Sequence, residues 1–195
     1  MDFITSLDWR IFQFFEEYLW NPVLNVIMTV ITTLGDGGII WIVCAICLLI
    51  TKKYRKVGAM VACGLIFSLI FTDAVFKPLI ERVRPFNFDG WPAEFVFPDL
   101  VERPQSLSFP SGHTSSSFAA AVPMLLGCKK QIGIPAVIFA FFVGISRIYV
   151  HVHYATDVIA GFVFGVLYGL AAYYLVTKLI PLIIKKLKER KTKKA

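Results

Sequence analysis

From Val57 to Ile80 the chain reads VGAMVACGLIFSLIFTDAVFKPLI, with only Asp73 and Lys77 charged. A run of ~20 apolar residues is long enough to cross a bilayer as a helix. Similar apolar segments occupy about 22–35, 38–51, 113–128, 132–149 and 157–184. The pattern predicts an all-α, polytopic membrane helix bundle of six transmembrane helices. The first two segments are short and could instead form one re-entrant hairpin. Ahead of them, DWRIFQFFEEYLW (8–20) sets aromatic residues against Arg10, Glu16 and Glu17, which predicts an N-terminal interfacial helix within 1–20. With 57% hydrophobic residues and a mean hydropathy of +0.69, the chain is too apolar for an ordinary soluble domain.

The net charge of +7 is a property of the tail. Lys178 to Ala195 hold eight basic residues and one acidic residue, so the body before them is neutral overall. That distribution argues for no nucleic-acid partner, since no basic stripe crosses a folded face. It reads instead as a basic cytoplasmic tail over 185–195 beside anionic lipid. Lys52, Lys53, Arg55 and Lys56 follow the second segment, and Lys129 and Lys130 follow the fourth. Under six spans all three basic clusters share one side, which the positive-inside rule makes cytoplasmic. Both termini are then cytoplasmic in the plasma membrane, and an outer loop at 81–112 faces outward with the 146–156 turn. MDFITSLDWR lacks a basic leader and an apolar core, so the first segment is expected to stay in the mature protein. Cys44, Cys47, Cys63 and Cys128 lie in apolar runs and read as small buried hydrophobes, with no metal site and no cofactor implied.

Three polar stretches interrupt the apolar pattern, all at the predicted outer face. KPLIERVRP carries Lys77 and Arg84, PSGH carries Ser111, Gly112 and His113, and SRIYVHVHYATD carries Arg147, His153 and Asp157. Three cations suit the oxygens of a phosphate group without a metal. Backbone N–H groups at Ser111–Gly112 could form an anion nest, and Gly112 lets a phosphate approach the backbone. If this stretch is helical, His153 and Asp157, four residues apart, lie on one face, so the carboxylate can hold one ring nitrogen while the other attacks phosphorus. His113 could protonate the leaving oxygen and then activate water.

These residues resemble the type 2 phosphatidic acid phosphatases, the membrane branch of the lipid phosphate phosphatases and their haloperoxidase relatives. The pattern K-x6-R-P, P-S-G-H, S-R-x5-H-x3-D is met at Lys77 to Pro85, Pro110 to His113, and Ser146 to Asp157, with no departure. The resemblance identifies the chain as a bacterial integral membrane member. It implies that His153 forms a phosphohistidine, Asp157 orients it and His113 is the general acid. Lys77, Arg84, Ser111, Gly112 and Arg147 would hold the phosphate, and no divalent metal would be needed. Expected partners are the bilayer and a lipid phosphate or diphosphate: undecaprenyl diphosphate, phosphatidylglycerophosphate, phosphatidic acid or diacylglycerol pyrophosphate. A lipid phosphotransferase and a non-catalytic phospholipid-binding or transport protein are the alternatives.

Each signal also has a plainer reading. Asp157 or Thr156 could simply cap a helix. His151, two residues from His153, is expected to be interfacial or headgroup-facing. Asp73 could pair with Lys77 one turn on, or face elsewhere. Thr114 to Ser117 read as small residues for close helix packing more than as pocket lining. Gly161, Gly165 and Gly169 form a packing stripe for another helix or for a second subunit in a homodimer. The aromatic stretch PFNFDGWPAEFVFPDL could be an interfacial mat or a gate to the pocket.

Overall fold

A computed structural model describes residues 3–92 and 94–192, and its described residues are helices and connections without strands. The end of the predicted basic tail lies outside the described residues. Helix α1 (Phe3–Phe14) is prolonged by a π-helical turn, Phe15–Leu19. Asn21 then caps α2 (Pro22–Leu34), accepting from the N–H groups of Val23 and Leu24 at 3.1 and 3.0 Å, with Pro22 at the first helical position. After the Asp36–Gly38 turn come α3 (Ile39–Ile50) and α4 (Arg55–Phe67). Helix α4 continues through a π-helical stretch, Ser68–Phe76, into α5 (Lys77–Ile80). A long connection leads to α6 (Gly112–Gly127), α7 (Lys130–Tyr149) and α8 (Ala155–Tyr174), the last prolonged through Leu175–Leu179 into α9 (Ile180–Thr192).

Helices α2 and α3 depart from the expectation of two spans or a hairpin. Their axes bend by 44°, far short of a reversal. Contacts with α7 descend in order: Asn25 on Tyr149, Thr32 on Arg147, Gly35 beside Val143, Trp41 against Phe139. The pair is therefore one broken pass antiparallel to α7. Gly37 (φ 56) and Gly38 (φ 67) take left-handed backbone at the break, a conformation open to glycine in a kink as much as in a reversal. Among the described residues α2 with α3, α4 with α5, α6, α7 and α8 run along the bundle; by length and apolarity alone three helices qualify as membrane spans, or four with α2 and α3 counted as one bent span, so the expected count of six is not reproduced.

Helix α1 lies at the end of the bundle where α6 and α8 begin, not beside α9. Trp9 stacks on Trp91 at 5.0 Å, Phe12 lies 4.7 Å from the His151 ring, and Asp8 pairs with Arg82 at 2.8 Å. Helix α1 thus lies at the end of the bundle opposite α9, whereas both termini were expected at the end away from the polar motifs.

Helix α6 is the centre of the bundle, packed by α4, α7 and α8. Its small residues allow this, and its hydroxyls find partners: Ser115 meets Ser68 at 2.8 Å, and Ser117 accepts from the Trp41 indole at 2.9 Å. The Gly161–Gly165–Gly169 stripe of α8 faces α6. A Cβ at Gly161 would come within 2.7 Å of the Ser111 carbonyl, and one at Gly165 within 2.5 Å of that of Ser115. The stripe thus serves a helix of the same chain.

A second core caps the upper end. Phe12, Tyr149, Val152 and Tyr154 are buried there, with Trp9, Trp91 and Leu100 packed on them. The aromatic loop folds onto α1, with Trp91 and Phe95 on Trp9, and contributes to this core. His151 is enclosed by it, 1% exposed between Phe12, Trp20, Phe95 and Phe97, and is neither interfacial nor headgroup-facing.

Candidate active site

The start of α8 builds the first half of the site. Asp157 lies in its first turn and accepts from the Tyr154 N–H at 3.1 Å, so it does cap the helix. The same oxygen, Oδ2, lies 3.3 Å from His153 Nδ1 and accepts from the Ser108 hydroxyl at 2.5 Å. On the other side of the ring, Arg84 Nη1 donates to His153 Nε2 at 3.2 Å. Arg84 has no lone pair to offer, so Nε2 must be the unprotonated nitrogen and Nδ1–H must point at Asp157. Burial holds the imidazole well below its ordinary pKa, and the charges of Arg84, Arg147 and Lys77 push the same way. His153 is a neutral base with its free lone pair on the side away from Asp157.

Cations gather on that side. Arg84 is locked by the loop, donating to the Ser106 carbonyl at 2.6 Å and the Val152 carbonyl at 2.7 Å. Lys77 pairs with Asp73 at 2.5 Å across one helical turn, one of the two arrangements the spacing allowed. Both lie beside Gly112, whose absent Cβ would stand 3.4 Å from Asp73 Oδ1 and 3.6 Å from Lys77 Nζ. Arg147 donates to Thr32 Oγ1 at 2.5 Å, while its buried Nε has no hydrogen-bond partner among the described residues.

Ser111 plays a different part from the one expected. Its hydroxyl accepts from Thr114 Oγ1 at 2.9 Å and, as the N-cap of α6, from the Thr114 N–H at 3.5 Å, and its N–H donates to the Asp157 carbonyl at 3.1 Å. It ties α6 to α8, and its N–H is not free for an anion nest. Gly112, the first residue of α6, lines the cavity beside Lys77. Of the hydroxyls after it, Ser116 lines the pocket, while Thr114, Ser115 and Ser117 are packed inside the bundle.

His113, one residue into α6, lies with Nε2 3.1 Å from Asp36 Oδ1. Lys77, Arg84, Gly112, His113 and His153 line one cavity of about 610 Å³. It continues as an apolar groove between α3 and α4 past Ile42, Ile46, Leu65 and Ile66. Asp157, Ser111 and Arg147 stand behind this lining, one layer back.

Sequence reading missed Asp36, Ser108, Arg82 and Asp8. Asp36 was hidden in a glycine turn, and Ser108 lies in an irregular loop with no periodicity to interpret. Arg82 sits inside the KPLIERVRP stretch, where a further buried cation was there to be asked about. Asp8 did leave a signal: it falls on the helical face of Phe12 and Phe15, and an acid on an apolar face needs a partner.

A helical bundle with a neutral, carboxylate-held histidine under a cluster of cations is the architecture of a membrane enzyme acting on an anion. The model of the PAP2 superfamily matches residues 56–181. The chain belongs to that superfamily and is a membrane phosphatase. It is 34% identical over 155 residues to an undecaprenyl-diphosphatase of Sulfolobus acidocaldarius, covering 78% of this chain and 72% of that one. It is 27% identical over 187 residues to a lipid A 4'-phosphatase of Bacteroides thetaiotaomicron, covering 92% and 81%. The crystal structure of a transmembrane PAP2 type phosphatidylglycerolphosphate phosphatase from Bacillus subtilis superposes with a TM-score of 0.68 at 28% identity, covering 89% of this chain and 86% of that one.

Proposed function

We propose that the protein hydrolyses a lipid phosphate or diphosphate through a phosphohistidine on His153, at the outer face of the plasma membrane. The observation that carries this reading is the ring of His153, with Asp157 on Nδ1 and an unprotonated Nε2 directed to the cation-lined cavity. Nε2 attacks phosphorus, and the bond from phosphorus to the leaving oxygen breaks. Lys77, Arg84 and the N–H groups at Gly112 take up the charge on the phosphoryl oxygens, and Arg147 behind them adds to the positive field. Positive charge develops on the imidazole, and Asp157 stabilises it. His113 gives its proton to the leaving oxygen, with Asp36 holding it in place. It then takes a proton from the water that attacks the phosphohistidine, releasing inorganic phosphate and restoring both histidines.

The α3–α4 groove supports a lipid substrate. It leads directly from the cations along apolar side chains that are themselves half open to the surroundings, Ile42 at 48% and Ile66 at 52%. A phosphate headgroup fits the upper end and its apolar chain fits the groove. Undecaprenyl diphosphate, phosphatidylglycerophosphate and phosphatidic acid all meet this description. Sidedness follows from Lys52, Lys53, Lys56, Lys129 and Lys130, which sit at the end opposite the site and make it cytoplasmic. Five crossings then leave α1 outside with the site, and the C-terminus inside.

The test is phosphate release by detergent-solubilised protein in excess chelator, from a panel of lipid mono- and diphosphates. His153→Asn should abolish release while leaving a folded protein, and an acid-labile phosphoryl label should appear on the wild type alone. Full activity in the variant, or no release from any lipid by folded wild type, would overturn the reading.

A further inference from the structure

The carboxylate of Asp8 is completely buried, although α1 lies at the rim of the bundle. Its Oδ1 accepts from the Thr156 N–H at 3.0 Å, and its Oδ2 accepts from Thr156 Oγ1 and Arg82 Nη2, both at 2.8 Å. Asp8 thus caps the first turn of α8 from another helix, one residue from the catalytic carboxylate. Arg82 carries the connection further. Its Nη1 donates to Asp157 Oδ1 at 2.6 Å, and its guanidinium stacks on the Tyr154 ring at 3.8 Å. The two oxygens of Asp157 therefore divide their work: Oδ2 serves His153, Ser108 and the Tyr154 N–H, while Oδ1 goes to Arg82.

Anchoring α1 does not require this arrangement. Trp9, Phe12 and Phe15 already dock the helix by apolar contact, and buried charges carry a desolvation cost. What the charges add is balance. Arg82 alone would cancel the negative charge of Asp157, which the cationic phosphohistidine ring needs. With Asp8 on its far side, one cation lies between two carboxylates and one negative charge is left over. We propose that Asp8 and Arg82 are positioning residues for the His153–Asp157 pair, so that helix α1 is part of the catalytic unit. The proposal rests on His153 being the phosphoryl acceptor.

The experiment uses the full-length protein with the lipid phosphate that wild type hydrolyses best. Asp8→Asn, Arg82→Gln and the double variant are compared by kcat and KM. Each single change should lower kcat by about tenfold or more, because a charge near the ring is lost or left uncompensated, with KM changed less than about twofold. The double variant removes one charge of each sign, so its kcat should rise above that of Asp8→Asn. Wild-type kcat in the single variants would overturn the proposal, as would a double variant whose loss is the product of the two. Should Asp8→Asn fail to fold, Arg82→Lys replaces it: the charge remains but one ammonium cannot hold both carboxylates in the same geometry. A kcat loss at constant KM then supports the proposal, and wild-type kcat overturns it. Wild type and His153→Asn run alongside: active wild type with an inactive His153→Asn keeps the phosphatase reading intact whatever the Asp8 variants do.

Discussion

Replacing Gly112 with alanine separates a residue's role in folding from its role in binding phosphate. An added Cβ would stand 3.4 Å from Asp73 Oδ1 and 3.6 Å from Lys77 Nζ, both ordinary contacts. Nothing has to move, and alanine is the better helix former by up to ~1 kcal/mol. The fold should therefore keep its thermal midpoint or gain slightly. The same methyl group occupies the space between Lys77 Nζ and the start of α6, where a phosphoryl oxygen must sit ~2.8 Å from its donors. Excluding the oxygen from these donors resembles deleting an oxyanion-hole donor, which costs ~10²–10³ in rate, or about 3–4 kcal/mol of transition-state stabilisation. The assay is kcat/KM for phosphate release beside a thermal melt of the same preparation. Wild-type kcat/KM would refute the phosphate cradle. A midpoint that falls in step with activity would refute the claim that Gly112 serves binding and not packing.

Gly161→Ala should behave in the opposite way: a Cβ only 2.7 Å from the Ser111 carbonyl forces α6 and α8 apart, and thermal melts should show a loss of ~1–3 kcal/mol. Burial of His151 lowers its pKa to about 4, so the neutral ring supports the fold fully above pH ~6.5. That support is lost as the pH falls towards 4, by up to ~3 kcal/mol. Melts at pH 7.5 and 4.5 should therefore diverge less in His151→Asn than in wild type, and equal divergence would exclude His151 as the source. Cysteines placed singly at exposed Asp89 and Gln13, in a cysteine-free background, should both react with an impermeant thiol reagent on intact cells. Labelling at Asp89 alone would return α1 to the cytoplasmic side and restore an even number of crossings.

Much of the site was legible because its chemistry is local. The four-residue spacing from His153 to Asp157 sets carboxylate against imidazole on any helical start, and the spacing from Asp73 to Lys77 makes their pair in the same way. Gly112 could be read as a point of backbone access from its lack of a side chain. That the Ser111 N–H is taken up by the Asp157 carbonyl was not legible, because the partner lies on α8, more than forty residues away in the chain. His151 was misread because a polar ring beside a membrane face does not reveal what encloses it. The packing of the aromatic loop was not legible for the same reason, since Trp91 and Phe95 meet Trp9 more than eighty residues away in the chain.

Hydropathy and residue spacing determined by themselves that this chain is a membrane helix bundle carrying the three-part motif of the lipid phosphate phosphatases, because both follow from neighbours within a few turns. Only the tertiary structure decided that α2 and α3 form one bent pass and that α1 lies with the active site. It alone brought Asp8 through Arg82 to Asp157. A bend of 44° and a reversal use the same glycines and the same apolar residues. What distinguishes them is the order in which α2 and α3 meet α7, a long-range contact pattern that no local stretch of sequence contains.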